Sequence, residues 1–152
     1  MKAIINLDKV KYPDVVTAKN GSDVLENGAF VALGGLVQER LGRDCYAIAK
    51  LSEGCKLGYV ADVALMYDET KDERDFRLEA NQIGRVRRFP AGGGMTIARK
   101  HVSGTVNKGD FLALKASSYQ LEKTTDKSLT VAQVLEVTEF NGQPSYYIEF
   151  VR

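Results

Sequence analysis

Gly28-Ala29-Phe30-Val31-Ala32-Leu33 returns, eighty-one positions later, as Gly109-Asp110-Phe111-Leu112-Ala113-Leu114. Four of the six positions are identical and a fifth exchanges Val for Leu. Each copy follows a polar pair, Glu26-Asn27 or Asn107-Lys108, with Val24 or Val106 just upstream. Glycine gives the backbone freedom that a tight turn needs. The short apolar run behind it fits a buried strand. The phrase therefore reads as a turn followed by a core strand, used once in each half, with Phe30 and Phe111 in equivalent core positions.

Strand signals extend outward from both copies. Residues 14–18 form a short candidate strand behind Pro13, which holds its predecessor extended. Gly34-Gly35 is expected to end the first core strand. Residues 45–51 are apolar on both faces, as in a central strand. Tyr59-Val60, residues 63–67, 83–89 and 95–98, and Tyr119-Gln120-Leu121 are further candidates. The clearest hairpin closes the chain: residues 130–140, the Asn141-Gly142 turn, then an alternating run to Val151. Ala132 and Val134 share one face while Leu135 and Val137 continue on the other, so a bulge is expected there. A fainter match sets residues 47–53 beside 131–139.

The reading is all-β: two small related β-barrel or sandwich-like modules behind an extended N-terminal arm. The arm covers residues 1–17, the first module 18–70 and the second 71–152, with one compact domain as the alternative. A short helix fits at most near residues 36–41 or within 68–80. The acidic run 68–79 marks the boundary, although Phe76, Leu78 and Ala80 alternate with the period of a strand.

Composition narrows the function classes. The 152 residues are 44% hydrophobic and 27% charged, as in ordinary globular proteins. A net charge of +1 supplies no field towards nucleic acid or an anionic membrane. No secretory signal is read at the N-terminus and no run is long enough for a membrane helix. Two cysteines, Cys45 and Cys55, are too few for a disulfide scaffold, so they are expected as reduced thiols of a protein made in the cytoplasm.

Chemistry finds little support. His101 is the single histidine, and no motif brings it to a serine or cysteine nucleophile, so it is expected to be a solvated surface residue. Cys45, Cys55 and His101 match no zinc spacing. Pro90-Ala91-Gly92-Gly93-Gly94 lacks the Gly-Lys-Ser/Thr of a phosphate loop. Residues 68–73 lack the central glycine of a calcium loop. The expectation is no catalytic residue, no metal and no cofactor: not an enzyme.

Two features suit contacts instead. Ile4, Ile5 and Leu7 lie in an otherwise polar arm, and each is worth about 2 kcal/mol when buried. Acidic residues including Asp72 and Glu73 are followed by Arg85, Arg87 and Arg88, an order suited to contacts between copies. These eight residues are the candidate protein contacts. A rival reading takes Arg85, Arg87, Arg88, Arg99 and Lys100 as a nucleic-acid surface on a β-barrel. The adjacent acidic run cancels much of that field, so nucleic acid is the less favoured partner.

The arm, the small β-modules, the repeated Gly-x-Phe-Val/Leu-Ala-Leu phrase and the closing hairpin resemble the head decoration and auxiliary capsid proteins of tailed bacteriophages. The resemblance spans most of the chain from Lys19. It implies a virion structural protein on the outside of a capsid, with the major capsid protein as partner, a homo-oligomer such as a trimer, and a place in the virion after synthesis in the host cytoplasm.

Overall fold

The computed structural model describes residues 14–37, 45–61, 77–88, 91–140 and 142–151, with residues 5–9 and 14 as backbone only. Five strands close into a barrel: β2 (Asp14–Lys19), β3 (Phe30–Leu36), β4 (Cys45–Ala49), β5 (Lys56–Val60) and β6 (Ile83–Arg88), in the order β2-β4-β3-β5-β6. The β6 strand returns to β2 in antiparallel register, Asp14 opposite Arg88, and closes the ring. Closure removes the open edges that a five-stranded sheet would expose. Glycine is required where the ring is tightest. A Cβ on Gly58 of β5 would stand 2.5 Å from Cγ1 of Val86 on β6.

The second sheet has seven strands. These are β1 (Ile5–Lys9), β7 (Gly94–Ala98), β8 (Val102–Ser103), β9 (Phe111–Leu114), β10 (Leu121–Thr124), β11 (Ala132–Phe140) and β12 (Gln143–Phe150). Their order is β1-β7-β12-β11-β9-β10-β8. A 3-10 turn, Arg99–His101, joins β7 to β8. The chain is all-β, as its period-two runs indicate, with a barrel and a second sheet.

Two cores explain the layering. Ala18, Val31, Leu33, Ile48, Val60 and Val86 fill the barrel. Phe30, Leu51 and Tyr59 from the barrel strands and their loops join Met95, Ile97, Leu112, Tyr146, Ile148 and Phe150 of the sheet in the other. The first four residues of β3, Phe30 to Leu33, are thus buried on both faces. Val31 and Leu33 point into the barrel, and Phe30 points at the sheet, its ring 6.3 Å from that of Phe150. Double burial is why this stretch reads as a continuous apolar run without alternation.

The repeated phrase forms the same turn twice. Gly28 and Gly109 have φ of 92° and 90°, a left-handed conformation open to glycine at little cost. Gly28 N–H donates to Val60 O and Gly109 N–H to Val134 O, both at 2.7 Å. Val60 N–H returns to Ala29 O and Val134 N–H to Asp110 O, both at 2.9 Å. Burial differs, however. Phe30 is fully buried, whereas Phe111 is half-buried and Leu112 is the residue that enters the shared core. The second copy turns its opposite face to the shared core, with Leu112 there in the role that Phe30 has in the first copy. Equivalent core positions for the two rings are therefore not what the fold adopts.

The hairpin is present, with Gly142 at φ of 75° and the register shift between Val134 and Glu136. Gly34-Gly35 does not end β3: the strand runs to Leu36, and the pair lies in a register shift against β4. Tyr119 and Gln120 precede β10 rather than belong to it. Cys45 is buried, Cys55 is half-buried, and both are free thiols. The helix expected near residues 36–41 falls mostly outside the described residues, with Leu36 in β3. Residues 63–67 and the proposed boundary at residues 70–71 also lie outside them. The sheets themselves change over between Arg88 and Gly94.

Candidate partner-binding surfaces

Of the eight expected contact residues, Ile4, Asp72 and Glu73 lie outside the described residues. Ile5 and Leu7 lie in β1, in register with Ile97 and Met95 of β7. The arm is thus strand on strand in this chain: residues 5–9 edge the second sheet, and residues 14–17 belong to β2 of the barrel. On β6 the side chains of Arg85 and Arg87 alternate with Val86, which is buried in the barrel core. Arg85 is exposed, while Arg87 and Arg88 are half-buried.

The five cations of the rival reading do not form one free row. Arg99 lies over the Tyr146 ring, 5.4 Å from its centroid, and donates to the Thr138 carbonyl. Lys100 is ion-paired with Glu26. Cations committed to partners within the chain offer little to phosphates.

A cleft of about 820 Å³ opens between barrel and sheet. Leu57, Leu114 and Val131 line it and pack on the shared core, Phe150 belongs to that core, and Leu129 stands 44% exposed at the cleft wall. The cleft is where the shared core reaches the surface. Tyr59 also lines it; burial pushes its hydroxyl above the usual phenol range, with the Arg87 charge acting the other way.

A second part of the junction is polar and tightly bonded. Residues 115–120, between β9 and β10, are stitched to the barrel half: Phe30 N–H donates to Tyr119 O at 3.1 Å, Leu51 N–H to Ser118 O and Ser117 N–H to Leu51 O, both at 2.9 Å. The Tyr119 hydroxyl donates to Asp23 at 2.7 Å. Burial and that carboxylate push the phenol up to about 12. Glu26 sits between Arg77, at 2.9 Å, and Lys100. Burial also lowers the Lys100 ammonium from its usual range. Asn20 donates from Nδ2 to the Leu78 and Glu79 carbonyls at 3.0 and 3.2 Å, beside the Leu25–Leu78 bridge.

His101 is buried, not solvated. Its ring covers Gly28, where a Cβ would stand 2.9 Å from Cδ2. It hydrogen-bonds the Asn27 backbone, while Nε2 is buried without a partner. Burial first, then the Lys100 charge, hold the imidazole down at about 3, against the lesser opposing effect of the Asn27 bond. Nothing near position 101 signals this, since Asn27 and Gly28 are more than seventy positions away. Among the described residues no group of three or more His, Cys, Asp or Glu side chains is placed to hold a metal ion. Among them, too, no helix is long and apolar enough to cross a membrane.

No protein-family model matches the chain, and no curated protein matches it. Among solved structures, the fold is similar to the N base of head fiber gp8.5 of bacteriophage phi29, with a TM-score of 0.50 and 12% identity over 93% of this chain and 99% of that one. The expected resemblance to head-associated proteins of tailed phages is thus met at the level of the fold.

Proposed function

We propose that this chain is a non-enzymatic structural protein of a phage virion, one that binds the outside of the capsid and stabilises it. One observation carries the reading: the likeness to a phage head fiber base runs through nearly the whole of both chains, so barrel and sheet are matched together. The shared core is consistent with it, since barrel and sheet pack as one unit. The major capsid protein is the proposed partner, the virion the location, and a homo-oligomer such as a trimer the working form. Ile4, Ile5, Leu7, Asp72, Glu73, Arg85, Arg87 and Arg88 remain the proposed contacts. The nucleic-acid reading is the weaker one, since Arg99 and Lys100 have partners inside the chain.

Binding only the assembled shell stabilises it by an amount that grows with occupancy. The test is co-sedimentation of the full chain with capsids of the phage that encodes it, followed by the capsid melting temperature with and without saturating protein. Saturable binding and a raised melting temperature are expected. Absence from the capsid pellet removes the function, and salt-sensitive binding to a mixed-sequence oligonucleotide favours the rival.

A further inference from the structure

We propose that the Arg99–His101 turn is a pH-sensitive latch between barrel and sheet, closed while the His101 imidazole is neutral and loosened when it takes a proton. The turn belongs to the sheet half, directly after β7. What it grips belongs to the barrel half: His101 covers Gly28 and bonds the Asn27 backbone, and Lys100 pairs with Glu26. Within the sheet half, Gln120 steadies the turn by donating to the Lys100 carbonyl at 2.7 Å. Separating the halves brings the imidazole into water; closing them buries it with Nε2 unpartnered. A proton on Nε2 is therefore far better tolerated in the opened form.

The charges around the ring do not rescue a buried imidazolium. Asp23, Glu26, Lys50, Arg77, Lys100 and Tyr119 line the adjoining cleft with it. Asp23 accepts the Tyr119 hydroxyl, and Glu26 already faces the cations of Arg77 and Lys100. The charge that acts on the ring, Lys100, repels a proton. With the closed ring at about 3 and the opened ring at its ordinary 6.5, proton binding favours opening as pH falls below neutral. The opening constant then rises about 25-fold between about pH 7 and about pH 5, a window in which exposed carboxylates stay ionised.

Hydrogen exchange on the full chain tests this. Three junction amides report the latch, those of Phe30, Leu51 and Ser117, and the Leu25 and Val134 amides report barrel and sheet separately. After correction for intrinsic rates, the junction amides should open about 25-fold more often at about pH 5 than at about pH 7, and at both values they should open more often than the Leu25 and Val134 controls, which exchange only when barrel or sheet itself unfolds. His101→Gln, which keeps a donor for Asn27 and cannot titrate, should abolish the change. Because this is the single histidine, its ring signals in the wild type titrate without ambiguity, and they decide the matter even if the variant does not fold. An imidazole that titrates at its ordinary value without loosening the junction overturns the proposal. So do junction amides indifferent to pH, or the same pH response in His101→Gln.

Discussion

The two copies of the phrase share a backbone and differ in surroundings. Around Gly28 and Gly109 the turn geometry and the paired hydrogen bonds to Val60 and Val134 coincide. Yet the first copy is packed on both faces, and the second presents Leu112 to the core and leaves Phe111 half-buried. Six residues are enough to specify a turn and the start of a strand. Which face is buried depends on what lies over the strand, and the phrase carries no information about that.

Phenylalanine truncation breaks the comparison hardest. Phe30→Ala should cost about 3–5 kcal/mol, the usual range for a fully buried ring. Phe111→Ala should cost distinctly less, about 1 kcal/mol, as its ring is only partly removed from water. Urea denaturation of both variants measures the difference, and equal losses would mean that the two positions are equivalent after all.

The glycines come next. Alanine at either forces a left-handed conformation, worth roughly 1–2 kcal/mol. At Gly28 the added Cβ also runs into the His101 ring, whereas at Gly109 it meets nothing within 4 Å. Overpacking of that kind adds about 1–3 kcal/mol. Thermal melts should therefore rank Gly28→Ala well below Gly109→Ala.

Acid sharpens the contrast further, because only the first turn is covered by a histidine. The folded-state value of His101 is depressed to about 3 from 6.5. The neutral ring's contribution is complete above 6.5 and is lost progressively as pH falls towards 3. Global stability should drop by about 2 kcal/mol between about pH 7 and about pH 5, and His101→Gln should flatten that slope. Urea midpoints across the range provide the check.

The smallest effect lies at the phrase's variable position. Where the first copy has Ala29, the second has Asp110, which accepts the Asn107 N–H at 2.8 Å and pairs with Lys123 at 3.2 Å. The Asn107 bond, and then Lys123, hold its carboxyl below the usual range. Asp110→Ala should lower the melting temperature slightly at neutral pH, and the difference should vanish once acid protonates the carboxylate. A difference that persists in strong acid would point to backbone effects instead.

Local features of the fold were legible in the chain. The two turns, the all-β class, the C-terminal hairpin and its bulge follow from glycine position and side-chain alternation within about a dozen residues. Tertiary structure decided the rest. Residues 5–9 pair with a strand some ninety positions later, and β6 returns to close on β2. Gly34-Gly35 carries β3 through a register shift because β4 lies alongside to hold it. Arg99 and Lys100 read as free cations until Tyr146 and Glu26 arrive from distant strands and turns. His101 reads as a surface residue until the barrel closes over it. A propensity acts over a few neighbours, whereas burial and charge pairing depend on which distant segments the sheets bring together.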